Sequence, residues 1–249
     1  MKKIFNILFT ISLLFIIVAT TVRFNIVEPV LDNLISNKLS SHFVTEVKRN
    51  LNGFDADLTN LLIEKTLDKE KINVISKNIR KSVLRDLIND EVNGFDMSSE
   101  INYLISDIEN PYKSIIKMFI NKVDFNQIYK DMFKAEKNKV RSEIIIALKI
   151  YDACTNDSMI SFVAVLIVLS LVIIIIINKS INNTLNEVGM SLFINGIIMI
   201  VILFFLKRIE VLISMLPDVK IDINLFIYLT FLFIILGFIL KELKLKKMS

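Results

Sequence analysis

The stretch MISFVAVLIVLSLVIIIII, residues 159–177, decides the fold. It carries no charge, no glycine and no proline. As a helix it would rise about 28 Å, close to the roughly 30 Å of a bilayer's hydrocarbon core. Apolar side chains would cover every side of it and leave no face for water. Residues 4–22, 190–206 and 223–240 have the same character, and none of the four holds an ionised side chain in its interior. Four transmembrane helices are predicted.

Composition points the same way. Of 249 residues, 53% are hydrophobic, whereas an ordinary soluble domain is about 45–50% apolar even with glycine counted. Isoleucine alone supplies 44 residues. Five glycines and three prolines exclude collagen-like and turn-rich all-β chains. One cysteine excludes a disulfide scaffold, and one histidine leaves little for zinc or histidine-based catalysis. The net charge of +4 would invite a nucleic-acid reading if it were spread evenly. Residues 23–157, however, hold 20 basic and 21 acidic side chains, and the remainder holds 10 and 5. The excess lies beside the apolar segments, which makes it a topology signal and not a nucleic-acid footprint.

The first segment has the basic start of a signal peptide. Its apolar run exceeds the usual signal core of about 7–15 residues, and residues 18–22 offer no A-x-A cleavage site. Residues 1–23 are read as an uncleaved anchor, with a cleaved signal as the alternative. Lys2 and Lys3 assign the N-terminus to the cytoplasm, as do Lys241, Lys244, Lys246 and Lys247 the C-terminus. Four crossings reconcile the two. Residues 178–189 then form a cytoplasmic loop, 24–157 an extracytoplasmic domain, and 158–249 a three-helix membrane region with a short basic tail. Lys207 and Arg208 would reach the outer face and snorkel there. Residues 209–216 would then lie along the membrane or complete a long third helix before Pro217. The alternative is a third segment that does not fully cross.

Residues 24–157 read as helical. One stripe runs Val27, Leu31, Leu34, Ile35, Leu39, Phe43, Val47 and Leu51. A second runs Ile72, Ile75, Ile79, Val83, Leu87 and Ile88, and a third begins at Phe125, Ile128, Tyr129, Met132 and Phe133. Gly53, Gly94 and Pro111 are the main breaks. Five or six helices are expected, the first continuing from membrane helix 1 and the last feeding into membrane helix 2. The fold class is all-α: four transmembrane helices with a helical extracytoplasmic domain inserted between the first and second. Asn-Gly-Phe-Asp occurs twice, at 52–55 and 93–96. Gly53 and Gly94 can take the left-handed conformation that stops a helix, and Asp55 and Asp96 can cap the next one. A reused helix–turn–helix solution is the plain reading, with an internal duplication behind it. The dense ligand pattern of a calcium loop is missing.

Little in the chain points to chemistry. His42 follows Ser41, but no acid is fixed to orient it. Cys154 is a lone thiol beside the second membrane segment. The carboxylates of the outer domain, among them Asp86, Asp90 and Glu91, alternate with lysines as on a solvated helix face. Phosphate-loop, hydrolase-elbow, zincin and CxxC motifs are missing from the sequence. No metal or cofactor is called for, and no enzymatic activity is expected. Within the membrane segments Asn195 beside Gly196 is the strongest candidate for a helix–helix hydrogen bond at a close contact.

In the order of its segments and the texture of stretches such as 69–90, the chain resembles uncharacterised four-pass integral membrane proteins of AT-rich Gram-positive bacteria. That resemblance implies a layout and no activity. The reading that follows is a non-enzymatic membrane protein whose outer helical domain binds, senses or scaffolds a partner. The partners expected are the lipid bilayer and either another membrane protein or further copies of the chain; no nucleic acid is expected. A small oligomeric channel or an accessory subunit of a membrane transporter is the alternative.

Overall fold

In the computed structural model of the protein, the described residues are 2–50, 69–89, 91–93, 100, 102–103, 106, 114, 117, 125–137, 142–213 and 221–245. They are almost entirely helical, with no strand among them. The chain divides into two compact units, Met1–Pro29 with Tyr151–Ser249, and Val30–Ile150.

The first unit is a bundle of four helices long and apolar enough to cross a membrane. Helix α1 spans Lys2–Thr21 and runs through a π-helical turn, Val22–Val27, into α2, Glu28–Asn50. After α3, Lys69–Asn89, and α4, Phe125–Lys137, helix α5 (Ser142–Thr155) leads back to the bundle. Helices α6 (Asp157–Asn178), α7 (Ile181–Ile213) and α8 (Asn224–Leu245) complete it. Much of α6 faces outward, including Phe162, Val165, Val168 and Ile176, each more than half exposed. A soluble protein does not tolerate so large a contiguous apolar surface, whereas lipid tails cover it at no cost.

Pairings among the helices set their directions. Lys2 and Asn6 meet Glu187, so α1 and α7 start at the same end. Arg23 meets Asp157, so α1 ends where α6 begins. Gly189 lies against Leu240 and Gly196 against Ile234, which makes α7 and α8 antiparallel. Both termini of the bundle therefore lie at one end, with the α6–α7 turn.

Charged residues bracket each helix at one repeat distance. Lys2 to Arg23, Asp157 to Lys179, Glu187 to Lys207 and Asp222 to Lys241 are each separated by about 28–33 Å of helical rise, the thickness of a hydrocarbon core. Lys207 and Arg208 accordingly belong to a charged rim. Lys207 pairs with Glu210 at 2.7 Å, and α7 continues as helix to Ile213. At 33 residues α7 is about 50 Å long, enough to cross and project at both ends. The expected loop over 178–189 shrinks to Lys179 and Ser180, because α7 already begins at Ile181. The junction before α6 also differs from a continuous helix. Asn156 is extended, and its side chain caps α6 by accepting the Met159 N–H at 2.8 Å.

The helices pack in two ways. Three of the five glycines, Gly189, Gly196 and Gly237, line the α7–α8 seam. A Cβ on Gly237 would stand 2.6 Å from the Phe193 backbone nitrogen and 2.8 Å from the Gly189 carbonyl oxygen. The backbones are in near contact there, as small residues allow between membrane helices. Elsewhere the bundle closes on larger side chains. Ile17, Ile26, Met199, Leu206, Ile223, Phe226 and Phe233 form its buried cluster.

The second unit is held by its own polar ties. In α3 the stripe Ile72, Ile75, Ile79 and Val83 is buried, as its spacing predicts. Arg80 Nη1 donates to Asp32 Oδ2 at 2.6 Å, joining α3 to α2. Tyr129 Oη donates to Asp86 Oδ2 at 2.9 Å, joining α3 to α4.

Candidate functional site

Pro29 initiates the site. A proline inside a helix has no N–H to give, and its ring presses on the carbonyl four residues back. Here the chain widens into the π turn just ahead of it, and the Glu28 N–H bonds to the Arg23 carbonyl, five residues back. In an α-helix residues five apart point about 140° away from each other. The wider turn brings them onto one side. Arg23 Nε thus donates to Glu28 Oε1 at 3.0 Å.

The other side of the guanidinium reaches across the bundle. Arg23 Nη1 donates to the Thr155 carbonyl at 2.8 Å and to Asp157 Oδ1 at 2.5 Å. The Asn25 side chain donates to the Asp222 carbonyl. One turn of chain therefore binds the start of α6 and the approach to α8. Arg23 and Glu28 are mostly shielded, at 20% and 15% exposure, while Asp157 is 81% exposed. The Glu28 pair therefore carries more energy than the Asp157 pair, which water screens. The planar fork of arginine matters, because three acceptors in different directions are satisfied by one group.

Replacing Arg23 by glutamine should lower the stability of the detergent-solubilised protein by about 1–2 kcal/mol, since a shielded carboxylate and a carbonyl lose their donor. Lysine there should recover part of the loss, with charge but no fork. Amide exchange read by mass spectrometry should speed up over residues 22–27 and 155–159. Unchanged exchange there would show that the contacts hold nothing together.

The residues singled out by sequence lie elsewhere. Gly196 faces Ile234 and Thr230 in the α7–α8 seam. Asn195 is fully buried, and neither its Oδ1 nor its Nδ2 has a hydrogen-bond partner. Ser170 in α6 is likewise buried with its hydroxyl unpartnered. Gly53, Asp55, Gly94 and Asp96 lie outside the described residues. Cys154 is half-buried in α5.

Asp86 departs from the solvated face assigned to it. It is fully buried, and its other carboxylate oxygen lies 3.3 Å from Arg85 Nε and 3.4 Å from Asn93 Nδ2. The periodicity holds the explanation: Asp86 is three residues past Val83 and continues the buried stripe. Burial, and then the hydrogen bond to Asp86, push the Tyr129 phenol well above its ordinary range, so it stays a neutral donor. This pair is enclosed and joins two helices; it presents no reactive group to solvent. Among the described residues no three His, Cys, Asp or Glu side chains gather as a metal site would require. No protein-family model, curated protein or solved structure matches the chain.

Proposed function

We propose that the chain is a non-enzymatic multi-pass membrane protein whose residues 24–157 lie outside the cell membrane and bind, sense or scaffold a partner there. The Arg23 node carries this reading. It ties the segment by which the chain leaves the bundle towards residue 30 to the segment by which it returns after residue 150. A ligand that loads the inserted residues pulls on two connections that are already fastened together at the rim, so a signal need not pass through either helix alone.

Charge supports the orientation. The end with both termini carries Lys2, Lys3, Lys179, Lys241 and Lys244, whereas the other end of the bundle carries Arg23, Lys207 and Arg208. The basic end is cytoplasmic by the positive-inside rule.

Two measurements test the proposal. In a Cys154→Ser background, Lys77→Cys should react with an impermeant maleimide in intact cells, and Lys241→Cys only after permeabilisation; the reverse pattern would overturn the orientation. Purification from the native membrane in mild detergent should retain a stoichiometric second protein that cross-links to residues 24–157. A homo-oligomer that alone passes ions in liposomes would replace this reading by a channel.

A further inference from the structure

A cleft of about 460 Å³ opens at the α6–α7 turn, on the outer surface of the bundle. Its apolar part is formed by Ile175, Ile176 and Ile181, which are 50%, 65% and 78% exposed. Its polar part is formed by Lys179, Ser180 and Thr184. No acidic residue lines it.

Two features of the chain produce this arrangement. The turn is only two residues long, so α6 and α7 part around a notch. Lys179 sits in the left-handed conformation, with φ of 50°, and its N–H donates to the Ile175 carbonyl to close α6. That conformation favours glycine and costs a side-chain-bearing residue about 1 kcal/mol. The lysine is thus held at the lip of the notch. The first N–H groups of α7 have no carbonyl within their own helix to bond, and they add partial positive charge at the same place.

The position relative to the membrane decides the occupant. Lys179 ends α6 about 33 Å of helical rise from Asp157, one hydrocarbon thickness away, so it stands at the edge of the layer beside the headgroups. The isoleucines continue into the lipid-facing surface of α6. A cation above and an apolar slot below match a phosphate with acyl chains attached. They do not match a free phosphate, which would leave the slot uncovered.

We propose that this cleft is a binding site for one anionic phospholipid, its phosphate on Lys179 and the start of α7 and an acyl chain along Ile175, Ile176 and Ile181. The proposal is independent of which membrane face the turn occupies.

The test uses the full chain, delipidated in detergent and titrated with phosphatidylglycerol or phosphatidylcholine, with retained lipid counted by native mass spectrometry. One phosphatidylglycerol should be retained in preference to phosphatidylcholine. Lys179→Gly should lower that preference about fivefold, the factor one lysine contributes near anionic headgroups. Glycine removes the charge and also relieves the left-handed backbone, so the turn itself should persist. Lys179→Asn, also tolerant of that backbone, should behave alike and guards against a glycine-specific loosening. Equal retention of the two lipids by the unaltered chain would overturn the proposal, since the cleft would then be a slot for any acyl chain. Undiminished preference in both variants would overturn it as well, because the phosphate would be held elsewhere.

Discussion

Gly237→Leu should prevent the bundle from assembling, and Gly237→Ala should already lower the thermal midpoint measurably. The atoms that a Cβ would meet are the Phe193 nitrogen at 2.6 Å, the Gly189 oxygen at 2.8 Å and the Phe193 Cα at 2.9 Å. All are backbone, so no rotamer change relieves the clash. Helices α7 and α8 must separate, and separation opens the seam along its length. Overpacking of this kind costs about 1–3 kcal/mol for one methyl and more for a branched side chain. Gly196→Ala provides the contrast. Its closest neighbour is Ile234 Cγ1, a side-chain atom at 2.6 Å that can shift, so a milder loss is expected. Thermal unfolding in detergent, followed by circular dichroism, ranks the two alanine variants, and the lack of a cooperative transition marks Gly237→Leu. A Gly237→Ala midpoint equal to that of the parent would mean the helices do not approach as closely as described.

Asp86→Ala should cost about 2–3 kcal/mol, since it strands the buried Tyr129 hydroxyl and removes the acceptor of two further donors. Asp86→Asn keeps an acceptor of the same shape and should cost less. The pair also gives an alkaline signature. Burial and the Asp86 hydrogen bond hold the folded-state pKa of Tyr129 above the unfolded value, near 10. The folded state then keeps a proton that the unfolded chain releases. The contribution is complete below about pH 10 and falls away as the pH rises above that value towards the folded-state pKa. Tyr129→Phe should remove this part of the slope. Denaturant unfolding of the whole protein between pH 8 and 11 measures it, and identical slopes in parent and Phe variant would contradict the assignment.

The membrane bundle was legible because its signal is redundant. Nineteen consecutive uncharged residues at 159–177, all apolar but Ser161 and Ser170, admit one reading, and the lysine flanks repeat it. The stripe at Ile72, Ile75, Ile79 and Val83 was legible for the same reason. Single residues were harder to read. Asp86 follows the stripe at correct spacing, yet an aspartate among lysines suggests solvent until a tyrosine 43 residues away is placed against it. Gly189 stood in an expected loop, so its pairing with Gly237 could not be seen until α7 was extended back to Ile181. Pro29, within a helix that does not end, is a direct sign of local rearrangement, but a proline alone does not say which partners the rearranged turn will meet. The Arg23 node depends on that rearrangement and on two partners, Thr155 and Asp157, that lie more than 130 residues away in sequence. No local pattern encodes it.

The π turn also restricts which lengths of chain are permissible. A turn that closes over five residues instead of four holds one residue in excess of an α-helix. Losing one codon from 24–27 would let the turn tighten to an α-helix, and Arg23 and Glu28, then four apart, would still share a face. The helices on either side would keep nearly the phase they have now, although Pro29 would still force a bend there. A further inserted residue has no such outlet and would turn one flank by about 100° against the other. The segment is thus asymmetric towards changes of length: it can give up its spare residue and keep its faces aligned, but it cannot take another.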